Sequence, residues 1–230
     1  MPERVLVPSI EQRLAGLLEV TRRRNLEAEQ AGARKPAITI SREYGCEAYP
    51  VAERLKALAE ERTKQQWAVV DRGLLAEVAR SHDLSETVLQ SLGKRPRFLD
   101  DMMSMLSPRW KNDADYYRLL CNHIISVATG GHVIIVGMGA AVLTQYLDNC
   151  HHFRIFGSMG YKTQSIARRS KIPHQEAELL IERKQRERDS FIRDFLSVDP
   201  KDLSFYHLAF NNDRNSPERM ARIIGAHIFD

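Results

Sequence analysis

The segment Ala37–Glu60 changes its hydrophobic period within a few residues. The short apolar run Ala37-Ile-Thr-Ile-Ser41 reads as a buried-type strand, Gly45–Pro50 as a tight loop, and Val51–Glu61 as an amphipathic helix. The strand–loop–helix layout is that of a phosphate-binding loop. The pattern recurs along the chain. Trp67–Asp71, His132–Gly137, His152–Phe156 and Leu208–Asn211 are further strand-like runs. Helical patterns lie between and after them: a start at Arg72–Ser81, several within 84–130, then Ala140–Leu147, Lys162–Ser170, Pro173–Leu196 and Ser216–His227. Strands alternating with helices restrict a chain to crossover units. The expected fold is therefore α/β, a three-layer arrangement with a parallel five-stranded sheet, a helical insert over 84–130 and an N-terminal helix.

That N-terminal helix is expected over Ile10–Glu29. Ser9-Ile-Glu-Gln12 has capping-box spacing, and Ile10, Leu14, Leu17 and Leu18 follow at helical spacing. Residues 1–35 form an appendage that docks on the core or on a second subunit or protein partner; residues 36–230 form the main domain, with lid-like helices over 162–200. The 230 residues, 43% hydrophobic and 28% charged, fit a globular core. No apolar run is long enough to span a bilayer, and no secretory signal is visible. The dispersed Cys46, Cys121 and Cys150 fit a reducing cytoplasm and imply neither a disulfide framework nor a zinc site. His151 and His152, adjacent on a strand, point to opposite faces and make a poor metal pair. The net charge of +4 comes from arginine clusters that serve either as a solvated helix face or as a polyphosphate site. Nucleic acid is not favoured, because no basic–aromatic interleaving accompanies them.

In parallel sheets ligands bind beyond the carboxyl ends of the strands. Three such ends carry notable residues: Ser41–Tyr49 after the first strand, Asp71-Arg72 after the second, and Gly137-Met138-Gly139 after the third. Their convergence on one rim defines the candidate site.

The stretches Ile38–Gly45, Val70–Leu75, Val133–Ala140, Glu182–Arg193 and Tyr206–Asn211, in that order, make the chain resemble the cytidylate-kinase-like family of the P-loop nucleoside monophosphate kinase superfamily. The resemblance runs from about Ala37 to the C-terminus. It implies transfer of the ATP γ-phosphoryl group, with magnesium, to CMP or a similar small acceptor under an arginine-bearing lid. It also implies roles: Arg42, Gly45, Cys46, Glu47, Ala48 and Tyr49 at the nucleotide phosphates, Asp71, Arg72, Gly137, Met138 and Gly139 at the acceptor, and Arg186, Arg188 and Asp71 in catalysis.

The loop departs from that family's pattern, which resembles Gly-Ser-Gly-Gly-Arg-Glu. Gly45 is kept, Cys46 stands for the serine, Glu47 and Ala48 for the glycines, and Tyr49 for the basic residue, with Pro50 next. Glu47 sets a carboxylate beside any polyphosphate, and like charges at ~4 Å repel by several kcal/mol near a protein surface. Tyr49 brings no charge, and Pro50 has no N–H. Met138 stands where the family commonly has the arginine of Gly-Arg-Gly. Each lost phosphate contact typically costs ~10²–10³ in rate.

Two readings follow. In one, transfer is weakened or lost and the fold serves ligand sensing or protein interaction. In the other, it is an active phosphotransferase in which Arg42 and the lid arginines substitute. Each residue also has a plainer reading: Asp71-Arg72 as a strand-end ion pair, Arg186 and Arg188 as members of local pairs with Glu182, Glu187 and Asp189, and Cys46 as a passive small side chain.

Overall fold

The computed structural model describes residues 35–71, 121 and 124–230. The N-terminal helix, Arg72 and most of the insert lie outside the described residues. Five strands, β1 (Ala37–Arg42), β2 (Ala68–Asp71), β3 (Val133–Val136), β4 (Cys150–Phe156) and β5 (Leu208–Asn211), form one parallel sheet in the order β2-β3-β1-β4-β5. The helices whose two ends lie among the described residues are α1 (Ala48–Thr63), α2 (Ala140–Leu143), α3 (Met159–Ser170), α4 (His174–Leu196) and α5 (Pro217–Phe229).

β1 is the central strand, and its first four residues are buried. One face carries Ile38 and Ile40 beside Phe153 and Ile155 of β4. These pack with Val51, Ala52 and Leu55 of α1 and Met220, Ala221 and Ile224 of α5 in the main core. The other face pairs Thr39 with His152 and Ser41 with Arg154. On this face β1 and β4 are joined by a hydrogen bond between Thr39 Oγ1 and His152 Nδ1 at 2.9 Å. This second, more polar face opens beneath α4.

Several element boundaries differ from expectation for local reasons. α1 begins at Ala48, so Tyr49 and Pro50 lie in its first turn, where a missing N–H costs nothing. α3 begins at Met159 because Ser158 caps it, its Oγ accepting from the Tyr161 N–H at 3.2 Å. Asp213 in turn accepts the Ser158 N–H at 2.8 Å. α2 stops at Leu143, short of Leu147, and β4 starts at Cys150 rather than His152. Among the described residues no helix is long and apolar enough to cross a membrane.

Candidate functional site: a clasped loop beside an arginine-lined cavity

The chain leaves β1 through Glu43 and Tyr44, turns at Gly45 and enters α1 through Glu47. Gly45 has φ +99°, and a Cβ there would sit 2.8 Å from Lys162 Cβ, so glycine is required both by backbone and by space. Three amide donors of the loop are engaged within the protein. Tyr44 N–H donates to Gln185 Oε1 at 2.8 Å, Cys46 N–H to the Glu43 carbonyl at 3.3 Å, and Glu47 N–H to Asn212 Oδ1 at 2.9 Å.

The nearby charges are also matched internally. Lys162 Nζ, with little exposed surface, donates to Glu43 Oε2 at 2.8 Å. Tyr161 donates its hydroxyl to Glu47 Oε2 at 3.0 Å, while Arg168 Nη2 lies 3.5 Å from Glu47 Oε1. Arg169 Nη2 donates to the Gly45 carbonyl at 3.1 Å. Four residues of α3 thus clasp the loop. Cys46 is buried; burial first and the Glu43 carboxylate second push its thiol pKa up to about 12. It is a packed thiol rather than a reactive one. Tyr49 packs its ring against the main core.

Beside this loop lies a cavity of about 480 Å³ lined by Ser41, Arg42, Gly137-Met138-Gly139, Arg154, α4 and the segment after it. Arg42 turns across Gly137. That glycine has φ +81°, and a Cβ on it would collide with the guanidinium. Part of the Arg42 surface faces the cavity, yet the group sits deep in the fold. Burial, then repulsion from Arg188, lowers its pKa from 12.5 to about 10, with Asp71 opposing. Arg188 lies over the Tyr44 ring, 4.9 Å from its centroid. Arg154, buried on β4, donates to the Pro200 carbonyl at 2.7 Å and stacks on Tyr206 at 5.6 Å. Among the described residues no carboxylate lies within ion-pair distance of Arg42 or Arg154.

The expected site residues therefore divide. Gly45, Cys46, Glu47, Ala48 and Tyr49 form the loop, and Arg42, Gly137, Met138, Gly139 and Arg188 converge on the cavity. Asp71 ends β2 close enough to act on Arg42 electrostatically. Arg186 points away; its largely exposed side chain lies 3.7 Å from Glu182. Lys184 pairs with Glu187 at 2.7 Å. Sequence reasoning missed Glu43, Tyr161, Lys162, Asn212 and Arg154. For Arg154 a signal existed, a cation between Phe153 and Ile155 in an otherwise apolar strand.

The parallel sheet, the strand–loop–helix unit at its centre and the helices α3 and α4 over the strand ends define a P-loop kinase-like fold. A family model described as the cytidylate kinase-like family matches residues 37–214, and the chain belongs to that family. It is also similar to a solved structure, described as an uncharacterized protein from Eubacterium ventriosum ATCC 27560. The identity is 20%, the TM-score 0.61, and the match covers 85% of this chain and 98% of that one. No curated protein matches the chain.

Proposed function

We propose that this chain is a cytidylate-kinase-like protein in which phosphoryl transfer is weakened or lost and which works by binding a small phosphorylated ligand, as a sensor or together with a protein partner. The observation that carries this reading is a loop in which three amides and both acids are engaged by the protein itself. Tyr44, Cys46 and Glu47 already direct their amides at Gln185, Glu43 and Asn212. A triphosphate would have to displace Asn212 and lie against the Glu47 carboxylate. Phosphoryl transfer depends almost wholly on positioning and charge neutralisation, and here the neutralising groups of α3 serve the protein's own acids. The loop, with the Glu47 carboxylate at its centre and no basic side chain of its own, does not fit the polyphosphate of ATP with magnesium. The cavity, by contrast, presents Arg42, Arg154 and Arg188. Residues 1–35 are the surface we assign to a partner or a second copy, and the buried thiols Cys46 and Cys150 suit the reducing cytoplasm.

A second reading is an active nucleoside monophosphate kinase-type enzyme using CMP or a similar acceptor. It draws on one observation, the convergence of Arg42 and Arg188 on one cavity. Calorimetric titration with ATP–magnesium and with CMP, alongside a phosphoryl-transfer assay, separates the two. The expected result is no measurable turnover and no millimolar binding of ATP. Turnover at or above about 1 s⁻¹, the low end for kinases, overturns the proposal.

A further inference from the structure

We infer that the cavity selects a phosphate monoester whose organic group is apolar, an aryl or alkyl group rather than a nucleoside, with Arg42 and Arg188 on the phosphate and Met138 against the organic group. This rests on the reading of the cavity as the ligand site and names its ligand class.

The charge argument fixes the anion. Arg42 and Arg188 stand near enough to repel each other, and the Arg42 guanidinium makes no hydrogen bond or ion pair to a described residue. A dianionic phosphate monoester between them would offset that repulsion and give the Arg42 guanidinium acceptors, because guanidinium and phosphate match as paired donors and acceptors. Of the acids lining the cavity, Glu187 is paired with Lys184, Asp189 accepts from Gln185 Nε2 at 2.8 Å, and Asp199 accepts from the Lys201 N–H at 2.9 Å.

The second argument concerns the rest of the ligand. A nucleobase is read by amide and hydroxyl groups aimed at its edge. Gln185 is the amide side chain lining the cavity, and both its ends are committed, Oε1 to the Tyr44 N–H and Nε2 to Asp189. Of the hydroxyl residues on the walls, Tyr206 accepts from Arg154 Nη1 at 3.5 Å, the Tyr44 ring is covered by Arg188, and Ser41 adjoins Arg42 in sequence. The uncharged remainder of the walls is apolar and includes Met138, Val142, Phe191, Ile192 and Phe205. Met138 adopts φ +60°, a left-handed conformation that a long side chain takes only where its surroundings impose it. The position that resembles a phosphate-gripping arginine in the family thus presents a thioether to the cavity. A volume of about 480 Å³ leaves ample room beyond the phosphate for such a group.

Calorimetry on the full chain with phenyl phosphate, inorganic phosphate and CMP as probes tests this. Phenyl phosphate is expected to bind at least about tenfold more tightly than either of the others. Arg42→Gln is expected to weaken it by about tenfold or more, the loss of one charge-assisted contact. Met138→Arg is expected to invert the order, raising affinity for CMP and inorganic phosphate above that for phenyl phosphate. Thermal melting of each variant verifies folding, and Arg188→Gln serves in place of Arg42→Gln if the latter does not fold. CMP binding as tightly as phenyl phosphate overturns the inference and leaves the cavity as an anion site. Absence of phenyl phosphate binding, or binding indifferent to both arginine variants, overturns the site itself. Kinase turnover, read separately, bears on the proposed function and not on this selectivity.

Discussion

The Tyr161 hydroxyl donates to Glu47 Oε2 at 3.0 Å, joining α3 to the first residue before α1. Burial and the neighbouring Glu47 carboxylate both raise the Tyr161 pKa, so the phenol stays protonated and remains a donor. The acid that resembles an intruder in a phosphate loop is therefore a structural acceptor. It holds α3 down over the loop, where the family resemblance places a nucleotide.

Glu47→Gln keeps the shape of this side chain and removes its charge. Arg168 then loses its ion pair with Glu47. Binding of ATP–magnesium, not expected at millimolar levels in the parent chain, is expected to become measurable, and to be tighter in the double variant Glu47→Gly with Tyr49→Arg. The repulsion removed is worth a few kcal/mol at most at such a site. Unchanged affinity in calorimetry for both variants would show that polyphosphate does not approach this loop.

Gly45→Ala tests how tightly the clasp is built. The added Cβ meets the left-handed φ of +99° and the Lys162 side chain at 2.8 Å together. A loss of about 1–3 kcal/mol in urea unfolding is expected, the usual cost of a strained backbone position. A neutral substitution would mean that Lys162 yields freely and that its pairing with Glu43 is not a fixed part of the loop.

The frame of this fold was legible in the sequence because each strand is a short apolar run and each crossover carries a helix pattern. Ala37–Arg42 and Leu208–Asn211 emerge almost as expected for that reason. The departures at Glu47 and Met138 were legible too, since they break a recognisable pattern. Their consequence was not. Glu47 is neutralised by Tyr161 and Arg168, and its amide by Asn212, all more than a hundred positions away. Contacts of that kind are set by the sheet order, which no local periodicity encodes. Lys162 and Asn212 look like ordinary polar residues until β4 is placed beside β1 and β5 beside β4.

Acid is expected to destabilise the fold through His152. This imidazole is almost wholly buried between Thr39 and His207, and burial first, then His207 and His151, lower its pKa to about 4. A base held neutral in the fold gains a proton more readily once unfolded. Its stabilising contribution is complete above the unfolded value of 6.5 and is lost as pH falls toward 4. For His152 the loss amounts to about 3 kcal/mol, and the partly buried His132, also lowered to about 4, adds to it. Melting temperature should fall between pH 7 and 4, with a shallower fall in His152→Gln. A flat profile in the parent chain would contradict the burial of these rings.

Cys46 and Cys150 are expected to resist alkylation in the native state. Burial raises both thiols, Cys46 to about 12, so at pH 8 its thiolate fraction is roughly 10³-fold below that of a free cysteine. Iodoacetamide followed by peptide mapping should label them only as the protein unfolds. Rapid labelling of Cys46 under native conditions would show an open loop.

Arg42→Met separates a site residue from a core residue. A core arginine that makes hydrogen bonds leaves orphaned acceptors when removed, and the fold loses stability. Arg42 donates to no described acceptor, is repelled by Arg188 and carries a pKa lowered to about 10, so the fold holds this charge at a cost. Methionine fills a similar volume along the side of Gly137 without that cost. Stability in urea unfolding is expected to be unchanged or higher by about 1 kcal/mol, while phenyl phosphate binding falls by tenfold or more. The two readouts must move in opposite senses, or stability must stay level while binding falls. A variant that loses several kcal/mol of stability would place Arg42 among the groups that hold the sheet end together, and would remove the reason for assigning it to a ligand.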